Sequence, residues 1–164
     1  NGYSAEWPIE AKKRGLPNNN TTPLAVQQFN TDKAKKVFEE HAVMSAAEVD
    51  ARAEVMYENY NTCMDIEVRT MIKMVECDII PACVKDFAKY AAMPKMGGER
   101  ETVYMGIKTE CDKLAELNAK KPHDMAKEAL YLCDVVKPQM VKLRELVDKA
   151  EGLLETGLYP YPTY

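Results

Sequence analysis

Residues 45–80 read SAAEVDARAEVMYENYNTCMDIEVRTMIKMVECDII, and this stretch decides the fold of the 164-residue chain. It belongs to a run of 57 residues, 24–80, that contains neither glycine nor proline. Those two residues most often interrupt secondary structure. The run is rich in Ala, Glu, Met, Val and Lys. It is too long for a set of strands and turns, and it predicts long helices.

The beginning of this stretch carries a helix-initiation signal. Glu48 follows Ser45 at the spacing of a capping box, in which each side chain accepts a hydrogen bond from the other residue's backbone N–H. Beyond it, apolar residues recur every three or four positions and mark one helical face: Val49, Ala53, Met56, Tyr60, Met64, Val68, Met71, Val75 and Ile79. The opposite face is charged, and Asp65 and Arg69 form an i,i+4 pair on it.

The apolar pattern resumes after Pro81, so the spacing predicts one helix over 45–91 with a kink at that proline. Similar patterns predict helices over 100–118 and 123–151, the second bent at Pro138. We therefore expect an all-α fold, in which these three main helices form an antiparallel bundle.

The length of the chain suits a single domain. Within it we expect an N-terminal segment of irregular structure and short helices, 1–44, followed by the helical bundle, 45–164. The bundle ends in an extended tail of alternating tyrosine and proline residues.

Composition excludes several classes of function. The net charge is −4 with acidic and basic residues interleaved, whereas a nucleic-acid-binding domain usually clusters its Lys and Arg on a basic surface. No apolar run approaches the ~18 residues of a membrane span. No secretory signal opens the sequence. We therefore expect a cytoplasmic protein that binds neither nucleic acid nor membrane.

The five cysteines are odd in number and form no C-x-x-C pair. Each lies in an apolar helical context, which argues against a disulfide framework or a zinc cluster. We expect five reduced, buried thiols, as is usual in the cytosol: Cys63, Cys77, Cys83, Cys111 and Cys133.

No catalytic, cofactor-binding or metal-binding residue can be identified. A di-metal carboxylate site in a helical bundle requires Glu-x-x-His on two helices. The residues three positions before His41 and His123 are Phe38 and Lys120. A Cys–His nucleophile has no local signature, and the pair of glycines at 97–98 is typical of a turn and not of a phosphate-binding loop.

Helix lengths suggest where contacts with other protein surfaces lie. At ~1.5 Å per residue, a straight helix over 45–91 would be about 70 Å long, and one over 123–151 about 45 Å. The overhanging start of the first helix must be covered by residues 1–40 or by another chain, because a large apolar patch is rarely left bare. The candidate interface residues lie on this overhang and on the C-terminal tail: Met56, Tyr57, Tyr60, Tyr159, Tyr161 and Tyr164.

Several strings along the chain resemble type III glutamine synthetases. The segment that follows the catalytic domain in that family is similar to residues 2–7 (GYSAEW), 10–18 (EAKKRGLPN) and 21–23 (TTP). Its long C-terminal helix is similar to residues 57–60 (YENY), 66–67 (IE), 70–72 (TMI) and 79–82 (IIPA). Its proline-aromatic tail is similar to residues 159–164 (YPYPTY). The strings occur in the family's order and span nearly the whole chain.

The resemblance implies a parent enzyme that joins ammonia to the side-chain carboxylate of glutamate, using ATP and Mg²⁺ or Mn²⁺. It also implies a large homo-oligomer of stacked rings, whose catalytic motifs lie upstream of the segment seen here. No catalytic residue carries over to this sequence. Because Asn1 is not a methionine, we expect an excised C-terminal domain whose partners are the upstream catalytic domain and neighbouring subunits.

Two other interpretations stay open from the residues alone. The chain could be a free-standing cytosolic helical module for protein–protein interaction that shares only the bundle-like pattern. An autonomous enzyme is the third interpretation, and the sequence offers no candidate site for it. An upstream reading frame encoding a catalytic domain would separate the first interpretation from the second.

Overall fold

The computed structural model describes residues 2–162, which are mostly helical and contain no strand. The helices are α1 Trp7–Lys13, α2 Thr22–Phe29, α3 Asp32–Glu40, α4 Ala46–Met74, α5 Ile80–Ala88, α6 Arg100–Ala119, α7 Met125–Tyr131 and α8 Lys137–Leu153. Two π-helical segments join α4 to α5 and α7 to α8: Val75–Ile79 and Leu132–Val136. The all-α prediction is confirmed, and the three long helical stretches lie at 46–88, 100–119 and 125–153.

Helix α4 begins at the predicted capping box. The Glu48 N–H donates to Ser45 Oγ at 3.3 Å, and the Ser45 N–H donates to Glu48 Oε2 at 2.7 Å. Two backbone donors that the first helical turn leaves without intrahelical partners are thus satisfied.

Pro81 and Pro138 each follow a π-helical segment, and helical structure continues through both. The residue before each proline donates its N–H to the carbonyl five residues earlier, from Ile80 to Val75 and from Lys137 to Leu132. In an α-helix a proline ring clashes with the carbonyl four residues earlier. The wider π turn accommodates this geometry, so neither proline ends its helix.

The chain forms two compact units, Asn1–Glu58 and Asn59–Tyr164, and each is described by itself. In the first unit, an ion pair and a hydrogen bond join α3 to the start of α4. Lys35 Nζ lies 2.7 Å from Asp50 Oδ1, and the Ala46 N–H donates to Glu39 Oε1 at 3.0 Å.

The second unit has one apolar core. Helix α6 packs along α8, and α5 packs against α6. Fully buried members of this core come from α4, from α6, from α8 and from the π-helical segments: Val68, Ile79, Ile107, Cys111, Leu114, Leu132, Val136, Leu143 and Ala150. The turn between α5 and α6 contains a short 3₁₀ helix, Pro94–Gly97, as the glycine pair predicts a turn there.

Candidate functional site

The buried stripe of α4 differs from the predicted one at two positions. Tyr57 is buried at 7% exposure, whereas Met56 is 37% exposed. One turn later the predicted stripe contains Tyr60, but the buried residue is its neighbour Asn61. Tyr60 is half-buried against the core of the second unit. Where two apolar residues are adjacent, spacing alone does not distinguish the buried one, so the placement of Met56 on the core stripe is wrong.

Tyr60 nevertheless has an interior environment. Burial, followed by a hydrogen bond with the Cys133 thiol, raises the pKa of Tyr60 to about 12. Tyr57 is buried. Met56 is therefore the interface candidate on this part of α4 with the largest exposed fraction.

The tail folds back on the second unit. Tyr159 and Tyr161 pack against its core, with their ring centroids 6.1 Å apart. The Tyr161 hydroxyl donates to Asp78 Oδ2 at 2.6 Å. Burial, and then this hydrogen bond, raises the pKa of Tyr161 to about 12. The sixth candidate, Tyr164, lies outside the described residues.

An apolar groove of about 530 Å³ runs beside the tail. Ile66 and Met74 of α4 line it and are 58% and 38% exposed. Tyr159 and Tyr161 also line it. The tail thus borders a groove whose lining includes exposed apolar side chains.

Asp86 is a buried carboxylate, only 1% exposed. Its Oδ2 accepts hydrogen bonds from Arg100 Nε at 3.0 Å and from the Tyr104 hydroxyl at 2.9 Å. Its Oδ1 accepts from the Glu155 N–H at 3.1 Å. Burial, and then the bond to Asp86, raises the pKa of Tyr104 well above its usual range.

Arg100 extends this buried cluster to two carbonyls and an aromatic ring. It donates to the Leu153 carbonyl at 2.5 Å and to the Gly97 carbonyl at 3.3 Å. Its guanidinium carbon lies 5.0 Å from the centroid of the Tyr90 ring. The cluster ties α5, α6 and the end of α8 together, and its polar groups are used for packing. None of the sequence patterns above predicts this cluster, although an Asp in phase with Ile79 and Cys83 on a buried stripe is a usable signal.

A second polar cluster surrounds Asp65. The predicted pair with Arg69 is present, with Arg69 Nε 2.8 Å from Asp65 Oδ2. Lys121 Nζ lies 2.6 Å from Asp65 Oδ1 and 3.4 Å from Glu128 Oε1. The buried Asn61 donates from Nδ2 to the Met125 carbonyl at 3.0 Å and to Glu128 Oε2 at 3.3 Å.

Charge pairing sets the protonation of this cluster. Burial opposes the ionised form of Asp65, but hydrogen bonds from Lys121 and Asn118 outweigh it and lower the carboxyl pKa. Burial likewise opposes the charge on Lys121, but the contacts with Asp65 and Glu128 outweigh it and raise the ammonium pKa. The cluster is thus an ionised, partly buried network.

The cysteines do not all lie where the sequence predicted. Cys83, Cys111 and Cys133 are buried, but Cys63 and Cys77 are exposed. The prediction of five buried thiols is therefore wrong for these two, because both lie on the face of the long helix that turns away from the core. Burial raises the pKa of the Cys83 and Cys111 thiols to about 11.

Metal-ligating residues are not grouped in the part of the chain that the structure describes. Within residues 2–162, no three His, Cys, Asp or Glu side chains are placed to hold a metal ion. His41 and His123 are both exposed. None of the helices described over this range is both long and apolar enough to cross a bilayer.

Comparison with protein families assigns the chain. The family model for the glutamine synthetase C-terminal domain matches residues 1–93. The chain therefore belongs to the glutamine synthetase C-terminal domain family. This assignment confirms the resemblance that its short sequence strings indicate.

Individual relatives agree with this assignment. The type-3 glutamine synthetase of Dictyostelium discoideum is 30% identical over 185 aligned positions, covering 99% of this chain and 25% of the relative. The glutamine synthetase of Butyrivibrio fibrisolvens is 31% identical over 182 positions, covering 100% of this chain and 26% of the relative. The glutamine synthetase of Bacteroides fragilis strain YCH46 is 22% identical, covering 99% of this chain and 25% of the relative. The chain spans about a quarter of the length of these relatives.

Proposed function

We propose that this chain is the non-catalytic C-terminal domain of a type III glutamine synthetase and serves the structure and assembly of the parent enzyme. The observation that carries the proposal is that its buried and partly buried charged groups are paired with one another in packing. Asp86 is bound to Arg100, and Lys121 lies between Asp65 and Glu128. In this proposal the three main helical stretches form an antiparallel bundle that presents contact surfaces.

The chemistry belongs to the parent in this proposal. An upstream catalytic domain binds ATP and Mg²⁺ or Mn²⁺ and ligates ammonia to glutamate. The enzyme is a cytoplasmic homo-oligomer, and this domain contacts the catalytic domain and neighbouring subunits. The alignment of this chain with about a quarter of each relative supports such a division of labour.

Two surfaces are proposed to make the contacts. One is the start of the long helix, with Met56, Tyr57 and Tyr60. The other is the tail, with Tyr159, Tyr161 and Tyr164. The exposure of Met56 and the apolar groove beside Tyr159 and Tyr161 support them. Tyrosines on a proline-stiffened backbone lose little entropy when they dock.

The assembly role is testable by light scattering of the full-length enzyme. We expect Met56→Asp, and separately a tail truncated after Gly157, to give smaller particles with lower activity. Met105→Asp is the matched control, because Met105 is 63% exposed on α6 and belongs to neither surface. Met56 is a cleaner probe than Tyr57, whose replacement would also disturb packing. Unchanged particle mass in both test variants would refute the assembly role.

The non-catalytic role is testable on the chain itself. A nucleotide triphosphate needs a cluster of Lys or Arg side chains, backbone N–H groups or metal-binding carboxylates around its phosphates. We expect isothermal calorimetry with Mg-ATP to give no binding heat and assays to give no glutamine synthesis. Micromolar Mg-ATP binding to this chain would overturn the assignment.

A further inference from the structure

The polar cluster around Asp65 borders a cavity of about 490 Å³ at the end of α6, which is lined by Asp65, Arg69, Asn118, Lys121, His123 and Glu128 among others. Cavities of about 300–1,000 Å³ are typical of small-molecule sites. Lys121 lies between the carboxylates of Asp65 and Glu128. These three charged groups are therefore held in position without a ligand. The side chains of Asp65, Lys121 and Glu128 are 16%, 26% and 17% exposed.

Within the described residues 2–162, hydrogen-bonding capacity is left over on both sides of this network. Asn118 Oδ1 is buried and receives no donor, although Asn118 Nδ2 lies 3.4 Å from Asp65 Oδ1. Asn61, whose Nδ2 donates to Glu128 Oε2 at 3.3 Å, likewise has a buried Oδ1 without a donor. A buried amide oxygen without a donor costs about 1–3 kcal/mol, which favours a site where a ligand or water completes it.

Donors are left over as well. Arg69 contacts Asp65 through Nε, and its guanidinium carries two further nitrogens that can each donate. Such a planar pair of N–H donors matches the two oxygens of a carboxylate. His123 adds an imidazole to the same lining. The cavity therefore offers acceptors for an ammonium group and donors for a carboxylate.

We propose that this cavity binds a free α-amino acid. The ligand's ammonium group donates to Asn118 Oδ1 and Glu128, and its carboxylate accepts from the terminal nitrogens of Arg69. Asp65 and Glu128 disfavour a multiply charged anion such as phosphate, since like charges at short range repel. The proposal is independent of the assembly role, because none of the residues that line the cavity belongs to the two proposed contact surfaces.

The experiment is a titration of the isotope-labelled 164-residue chain, followed by two-dimensional amide NMR. We expect at least one of the common amino acids to shift amide signals in residues 118–128 saturably. Methylamine and acetate, which carry only one of the two groups, should bind at least about tenfold more weakly.

Arg69→Gln should weaken amino-acid binding by about tenfold or more. Arg69 is 72% exposed, so the variant should keep its fold, and its spectrum checks this. Arg144→Gln is the matched control: Arg144 also forms an i,i+4 pair, with Asp148, is 65% exposed and does not line the cavity. The affinity of Arg144→Gln for the amino acid should equal that of the unmodified chain.

Three outcomes would overturn the proposal. The first is a spectrum that no amino acid perturbs, which would mean that only water completes the two amide oxygens. The second is acetate binding as tightly as the amino acid, which would mean a simple anion site. The third is equal affinity in Arg69→Gln and Arg144→Gln.

Discussion

At the scale of single residues, buried polar side chains hold distant parts of the chain together. Asp86 receives three hydrogen bonds from groups that are 14, 18 and 69 positions away in sequence. Hydrogen bonds to a charged group contribute more than neutral ones, about 1.5–3 kcal/mol each. The three donors therefore offset the cost of burying this charge.

Asp86→Asn tests this cluster. The amide removes the counter-charge of Arg100 and replaces one acceptor oxygen by a donor that faces other donors. Breaking a buried pair by removing one partner costs about 3–5 kcal/mol, and the partial exposure of Arg100 places the expected loss near the lower end.

Urea unfolding followed by circular dichroism measures the loss. Asp148→Asn is the matched control, because Asp148 is 49% exposed in its pair with Arg144. It should change stability by less than about 0.5 kcal/mol. Equal midpoints for the two variants would show that Asp86 has no special role.

Thiol labelling separates the two exposed cysteines from the three buried ones. The folded chain should react quickly at Cys63 and Cys77 and slowly at the others until it unfolds, because burial blocks access and disfavours the thiolate. An aromatic disulfide reagent counts the fast thiols. Cys63→Ser and Cys77→Ser should each remove one fast equivalent, and a fast thiol that survives the double replacement would contradict the assignment.

At the scale of elements, the helices follow local signals and the tail does not. The capping box at Ser45 starts α4, and the π segments let the long helices pass Pro81 and Pro138. Residues 155–162 of the tail form neither helix nor strand, and their position depends on two packed rings and the hydrogen bond from Tyr161 to Asp78.

Tyr161→Phe should therefore cost about 1 kcal/mol, the net value of one hydrogen bond. Tyr159→Phe is the matched control, because it makes the same change on the neighbouring ring of the tail. Chemical unfolding near neutral pH gives the difference. Equal losses in both variants would mean that the Asp78 contact contributes nothing.

The stability difference between the unmodified chain and Tyr161→Phe should depend on pH. In the folded chain the pKa of Tyr161 is raised from 10.0 to about 12. Burial and then the hydrogen bond to Asp78 favour the protonated phenol, so the contribution of the hydroxyl is complete below about pH 10 and is lost as the pH rises towards about 12. The stability difference between the unmodified chain and Tyr161→Phe should shrink over that window. A difference that grows with pH would contradict the assigned donor.

At the scale of the whole molecule, one core joins the helices of the second unit. Leu143 of α8 is fully buried in it. Leu143→Ala should lower stability by about 2–5 kcal/mol, since the removed side chain leaves a cavity. Val141→Ala, two residues earlier and 51% exposed, should change it by less than about 0.5 kcal/mol. Comparable urea midpoints for both variants would argue against this core.

The sequence by itself determined the helices and their order. A long run without glycine or proline, a capping box and a three-to-four residue spacing are local signals, and helix formation depends on contacts within four residues. The same sequence determined the family through its ordered strings. It could not distinguish Met56 from Tyr57, because adjacent apolar residues satisfy the period about equally well.

Only the tertiary structure decided the polar contacts. The cluster at Asp86 and the cavity beside Asn118 join residues from separate helices, and no periodicity in one helix records its partner in another. Asn61 illustrates the reason. A polar residue on an apolar stripe is buried because a carbonyl and a carboxylate more than sixty positions away accept its hydrogen bonds, and only folding brings those acceptors to it.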